Sequence, residues 1–267
     1  MDYEDRLIIY IDVLGFSDFV NYTTVSMVNT EIKIQRIESF LNMIGSFFRD
    51  KHNSIKLSET KKVTSFSDLI IVSINLNEIE NIDLEIMDVF YLLLNATNKG
   101  FLLRGSIVYG KLIHTDNVIF GSGLIDAYNR EKTIAKYPRV IIDNAIVRDL
   151  SELGKDNPQS PINDVITCDD DGQYYIDMFK GIRTNTDNFW QYAKILSAMC
   201  TILIEIFDNP ILKEKRDWLL QRFISHIENN TKSLNYSFDG NEVDKSELST
   251  FRLYLTEFDE DKYKKLI

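Results

Sequence analysis

The sequence predicts an α+β fold, and three observations predict it. Residues 7–14 are apolar at successive positions up to Asp12, the mark of a strand buried on both faces. Two further strand segments, 63–66 and 69–74, are separated only by Ser67 and Asp68, which is hairpin spacing. Between and after these strands the apolar residues recur at helical spacing instead.

Taken in order, strand 7–14 turns on Gly15, and Ser17 is placed to cap a short helix over 18–22. A longer amphipathic helix carries Ile34, Ile37, Phe40, Leu41, Ile44, Phe47 and Phe48. Residues 51–62 are polar and read as a loop. After the hairpin, 84–95 is helical with Val89, Phe90 and Leu93 on one stripe. Residues 101–113 form a strand marked by Gly105 and Gly110, and 118–120 a short one. Gly121-Ser122-Gly123 leads into a helix over 124–135, Pro138 ends it, and 139–142 resumes as strand. The order β-α-α-β-β-α-β is that of a ferredoxin-like palm, an antiparallel sheet with helices on one face.

The turn-rich stretch 154–161 marks a boundary. Residues 165–167 and 174–178 read as a hairpin around Asp169-Asp170-Asp171-Gly172. That acid run lacks the glutamate and spacing of an EF-hand loop, so it is either a solvated turn or a calcium site of another kind. From residue 186 the spacing of Trp190, Ala193, Leu196, Met199, Cys200, Leu203 and Phe207 is helical, as is 218–227. The expectation is a catalytic core over 1–183 and a helical C-terminal extension over 184–267.

Composition narrows the function. With 44% hydrophobic residues the chain can bury a full core, and its formal net charge is −11. A nucleic-acid binder carries a basic footprint for phosphates, and none is visible. An acidic protein that handles a polyanion such as a nucleotide needs a cation between the two. Cys168 and Cys200 have no zinc or disulfide spacing, and His52, His114 and His226 stand apart. No apolar run reaches membrane-spanning length and no leader segment opens the chain, so it reads as soluble and cytoplasmic.

Asp12 and Asp68 are the candidate metal ligands. Each ends or turns an apolar strand, where a carboxylate adds little to a core but suits Mg²⁺ or Mn²⁺. Singly they read as a helix cap and a turn residue; in palm order the pair favours a two-metal site. With Leu103-Arg104-Gly105-Ser106-Ile107-Val108-Tyr109-Gly110, the segments Asp12-Val13-Leu14-Gly15-Phe16 and Phe66-Ser67-Asp68 resemble the class III nucleotidyl cyclase homology domain. Gly121-x-Gly123-x-x-x-Ala127-Tyr128-x-x-Glu131 and Tyr137-Pro138-Arg139-Val140 are similar to the branch that makes cyclic pyrimidine nucleotides in bacterial anti-phage signalling, the Pycsar cyclases.

The resemblance implies two divalent ions on Asp12, Asp68 and the Val13 carbonyl, and a nucleoside triphosphate contacted by Gly15, Phe16, Thr64 and Phe66. It also implies a homodimer with its sites at the subunit interface, and a downstream cyclic-nucleotide effector. The purine-reading lysine and aspartate of adenylate cyclases are replaced by Thr64 and Val118, and the guanylate Glu/Cys pairing is missing, which points to UTP or CTP. The family's transition-state Asn and Arg align with Ile125 and Asn129. Asn129, Arg130 and Arg104 are therefore the catalytic candidates, with Lys132 nearby. The alternative is a catalytically silent cyclase-like nucleotide-binding module; a palm-type polymerase is disfavoured by the acidic charge.

Overall fold

The computed structural model describes residues 2–25, 30–50, 61–79, 82–156, 161–186, 189–206, 209–231, 237–238 and 241–242. Contacts divide the chain into two compact units, Met1–Met178 and Phe179–Ile267.

The first unit is an α+β domain built on β1 (Glu4–Val13), in which every residue from Arg6 to Ile11 is buried. Its neighbours are β3 (Leu69–Asn75) and β4 (Leu103–His114), both antiparallel to it, and β2 (Lys62–Phe66) pairs with β3. Helices α1 (Phe16–Val25) and α2 (Thr30–Asp50) connect β1 to β2, and α3 (Ile82–Asn98) connects β3 to β4. Each connection crosses over an intervening strand, and the right-handed rule puts both on one face of the sheet. Leu7, Ile9, Ile11 and Val13 point to that face and are buried. Arg36 of α2 ties the layer together: it donates to the carbonyls of Lys99 and Gly100 at the end of α3, and its guanidinium lies over Phe19 and Phe101.

The expected palm is present, with corrections. The sheet continues through β6 (Val140–Ile142), β8 (Tyr174–Ile176) and β7 (Ile166–Cys168), in the order β2-β3-β1-β4-β6-β8-β7, and β4 pairs with β6 in parallel. The two-residue strand β5 (Ile119–Phe120) folds back on β4. Helices cover both faces rather than one. On the second face Ile8, Tyr10, Ile71, Val108 and Leu112 cluster with Ala127 of α4 (Ser122–Thr133). Small residues allow the close approach: a methyl group added to Gly110 would lie 2.4 Å from the Gly123 Cα. Ser106 Oγ donates to the Ala127 carbonyl at 2.7 Å and ties helix to strand.

Local boundaries differ for physical reasons. α1 starts at Phe16 rather than after a Ser17 cap, because Gly15 (φ +75°) presents its carbonyl to the amides of Asp18 and Phe19. The loop expected over 51–62 ends early: Lys62 belongs to β2, and buried Lys61 pairs with Glu85 of α3; residues 51–60 lie outside the described residues. Helix α5 (Asn144–Asp156) takes up part of the stretch read as a boundary. Asp143 caps it by accepting from the Ala145 amide, and Ile146 and Leu150 anchor its buried side.

The Asp169–Asp171 run is a turn exposed at Asp170 and Asp171, as expected, but Asp169 is buried and two of the acids are committed to a partner. Arg139, fully buried, ion-pairs with both Asp169 and Asp171, and its guanidinium lies over the rings of Tyr137 and Tyr175. The acids are the counter-charge that lets an arginine be buried there.

A short helix α6 (Met178–Gly181) lies where the two units meet in sequence. In the second unit, α7 (Phe189–Glu205) and α8 (Lys213–Thr231) bury Leu196, Met199 and Leu203 and Leu219, Phe223 and Ile227. Tyr192 and His226 share a buried hydrogen bond of 2.8 Å. A minimal hairpin, β9 (Ser237–Phe238) with β10 (Asn241–Glu242), completes the described part; Phe207 lies outside it.

The Gly110–Gly123 crossing yields a prediction. Gly110→Ala should cost about 1–3 kcal/mol in urea unfolding, because backbone stands in the way of the new methyl. Gly45→Ala in α2, where the methyl meets nothing within 4 Å, should instead stabilise by about 1 kcal/mol. Equal effects from the two would contradict the tight helix-on-strand packing.

Candidate functional site

Asp12 and Arg104 are directly opposed across the β1–β4 ladder, so the sheet register places their side chains together on the face that α4 covers. The Arg104 Nη2 lies 3.6 Å from Asp12 Oδ2 and in direct contact with Glu131 Oε1. Glu131 comes from α4, on the buried stripe Gly123-Ala127-Glu131 at four-residue spacing. Asp68 arrives from the two-residue turn between β2 and β3, where Ser67 adopts φ +55°, as tight hairpin turns require.

Two carboxylates thus flank one guanidinium, and a third, Asp68, is near enough for its charge to act on Asp12. The result is visible at Asp12, whose carboxyl is pushed up to about 6 by burial, then by the charges of Glu131 and Asp68; Arg104 and the Val13 amide offset part of this. Tyr10, on the same face, is pushed up to about 12 by burial, Glu131 and Asp12, with Tyr128 and Asp68 contributing. The Tyr128 ring meets Tyr10 edge-on at 6.2 Å, and Lys132 Nζ donates to its hydroxyl.

Excess negative charge among oxygen donors is the chemistry that a hard divalent cation relieves, so the residues fit Mg²⁺ or Mn²⁺. Among the described residues no group of three His, Cys, Asp or Glu side chains is placed to hold a metal unaided. A cation on Asp12 and Asp68 would therefore need other ligands, from backbone carbonyl, water or a phosphate-bearing substrate, the usual habit of Mg²⁺.

The other sequence candidates lie as follows. Val13 follows Asp12 with its side chain buried, and Gly15 makes the turn that opens α1. Phe16 is buried, while Phe66 is 79% exposed at the tip of the hairpin. Thr64 Oγ1 bonds His114 Nε2 at 2.8 Å, and Ser73 Oγ bonds the other ring nitrogen. Asn129 and Arg130 sit on a different flank of α4, and they line a cleft of about 340 Å³ with Asp143, Asn144 and Gln173 that neither Asp12 nor Asp68 lines. Arg130 is held there by Asp126 (3.0 Å) and Asp143 (2.7 Å). Glu131, Tyr10 and Tyr128 join the site without having been singled out as site residues. For Glu131 the signal was present: an acid on the small-residue stripe that packs against the sheet.

No family model matches the sequence, and no curated protein does. Among solved structures it is similar to the adenylyl cyclase CyaB from P. aeruginosa, at 14% identity over 65% of this chain and 93% of that one, with a TM-score of 0.43. It is also similar to the monomeric guanylyl cyclase domain of the RhoGC fusion protein from the aquatic fungus Blastocladiella emersonii, at 13% identity over 66% and 96%, TM-score 0.39. A class III adenylyl cyclase-like ATP-binding protein from Pseudomonas aeruginosa matches at 8% identity over 88% and 46%, TM-score 0.32. All these scores lie below 0.5, and the site residues rather than these likenesses carry the function proposed below.

The crowding of carboxylates has a measurable sign. Because the Asp12 carboxyl sits at about 6 against an ordinary 3.8, the folded protein holds the Asp12 proton more tightly than the unfolded chain does. Asp12 therefore contributes stability at acid pH that is lost as pH rises from about 4 to 6. In metal-free buffer Asp12→Asn should match the wild type near pH 4 and exceed it in thermal midpoint at pH 7–8. A midpoint below wild type at pH 8 would make Asp12 a structural anchor instead.

Proposed function

We propose that this chain is a nucleotidyl cyclase that converts a pyrimidine nucleoside triphosphate, UTP or CTP, to its 3′,5′-cyclic monophosphate and pyrophosphate. The observation that carries the reading is that Asp12, at the end of β1, lies beside the β2–β3 turn bearing Asp68, whose charge acts on it together with that of Glu131. In the reaction the 3′-oxygen bonds to the α-phosphorus, its proton leaves, and the bond to the β-phosphate oxygen breaks.

Asp12, Asp68 and the Val13 carbonyl would hold two Mg²⁺ or Mn²⁺ ions, which when bound ease loss of the 3′ proton and neutralise the phosphates. The turn at Gly15 opens α1 beside Asp12, and with the Asp18 and Phe19 amides given to the Gly15 carbonyl, those of Phe16 and Ser17 would face the triphosphate. Phe16 adds its backbone there and Phe66 its exposed ring. Thr64, engaged by His114, and the exposed aliphatic Val118 supply neither of the purine-reading groups, which supports a pyrimidine base. Asn129 and Arg130 would serve the site of a second subunit in a homodimer, with Arg104 acting within its own chain. The proposed setting is cytoplasmic anti-phage signalling through a cyclic-nucleotide effector. Among the described residues no helix is long and apolar enough to cross a membrane.

A second reading, a catalytically silent nucleotide-binding module, is favoured by one observation: Arg130 is already engaged by Asp126 and Asp143. Incubating the purified protein with each of the four nucleoside triphosphates and Mn²⁺, followed by mass analysis, separates the two. Cyclic UMP or cyclic CMP should form, and Asp12→Ala and Asp68→Ala should each abolish it while the chain stays folded. Cyclic AMP or cyclic GMP as the main product would refute the pyrimidine assignment; nucleotide binding without product would establish the silent module.

The shared site gives its own prediction. Mixing an Asp12→Ala chain with one altered at both Asn129 and Arg130 should restore about a quarter of wild-type activity, since half of randomly exchanged dimers are mixed and each keeps one intact site. No rescue in a mixture shown to exchange subunits would confine the chemistry to one chain.

A further inference from the structure

We propose that Glu131 is a positioning residue that holds the Arg104 guanidinium off Asp12 and so keeps the Asp12 carboxylate open to a cation; this rests on the cation site proposed above. The sheet register alone would do the opposite. Asp12 and Arg104 are direct cross-strand partners, the arrangement in which a guanidinium and a carboxylate close into a two-bond fork. The fork is not formed: Arg104 Nη2 touches Glu131 and stands 3.6 Å from Asp12 Oδ2.

Burial explains why Glu131 wins. Its side chain is 5% exposed against 28% for Asp12, so an unpaired charge costs more at Glu131 than at Asp12. The depth of Glu131 is fixed by backbone geometry, through the Gly123 and Ala127 contacts and the Ser106 bond to the Ala127 carbonyl. Arg104 Nε is buried with no hydrogen-bond partner, as expected of a guanidinium drawn toward α4 by one nitrogen. Without the Glu131 anchor, the guanidinium would cover the oxygens that a cation needs.

The test is Mn²⁺ binding, read by the loss of the free-ion EPR signal, on full-length chains whose fold is checked by near-UV circular dichroism. Wild type should bind, and Asp12→Asn should not; no wild-type binding, or binding unaffected by Asp12→Asn, overturns the cation site itself and this inference with it. Given wild-type binding, Glu131→Gln should weaken it about tenfold, as loss of an outer-shell partner does. Glu131→Asp keeps the charge but shortens the reach, and should weaken binding by a similar factor. Arg104→Met combined with Glu131→Gln should return affinity to within about twofold of wild type, because the interfering cation is gone. Wild-type affinity in Glu131→Asp would overturn the proposal, since the charge alone would then suffice. So would a double variant no better than Glu131→Gln. If the glutamine chain fails to fold, the aspartate chain decides.

Discussion

One guanidinium, that of Arg104, stands between the carboxylates of Asp12 and Glu131 while the charge of Asp68 bears on Asp12, and the candidate site depends on this shortage of positive charge. Arg104 reaches Glu131 from β4 and supplies counter-charge for its burial on the inner side of α4. α4 can lie that close only because Gly110, Gly123 and Ala127 present almost no side chain. Asp12 is left near the end of a strand buried from Arg6 to Ile11, partly buried itself and without a full counter-charge of its own. A domain selected for stability alone would have no reason to keep that carboxylate.

The contrast with Arg139 makes the point. There a fully buried arginine meets two aspartates, Asp169 and Asp171, beside two aromatic rings, and the balance tips toward the acids by a single charge near solvent. Both acids pair directly with that guanidinium. At Asp12 the guanidinium is instead taken up by Glu131 and stands 3.6 Å away, which leaves the Asp12 oxygens uncovered. The same residue types build a lock in one place and a receptive site in the other, and the difference lies in how the acids share a single guanidinium: Arg139 pairs directly with both of its aspartates, whereas Arg104 touches Glu131 and stands off Asp12, on which Asp68 also acts.

Much of the frame was legible in the chain. The unbroken apolar run of β1, the two-residue gap at Ser67-Asp68 and the glycines of β4 are short-range signals, and each structure they predict is present. What escaped depends on distant partners. The parallel β4–β6 pairing, the burial of Arg139 and its pairing with Asp169 and Asp171 follow from residues some thirty positions apart in sequence meeting in space. α5 was missed because Gly154 and the turn residues after it outweighed a short amphipathic stretch. Within the site, Asp12 and Asp68 could be found from strand ends. Glu131 required asking why a glutamate occupies the small-residue stripe of a helix.

The central claim is that Asp12 and Asp68 jointly hold a divalent cation, and anomalous diffraction from crystals grown with Mn²⁺ and a triphosphate lacking the 3′-hydroxyl tests it most directly. The account predicts an anomalous peak about 2.1 Å from carboxylate oxygens of both residues, with phosphate oxygens completing the shell. Triphosphate bound at the β1 end with no peak there, or Mn²⁺ held by the nucleotide alone away from both aspartates, would contradict it.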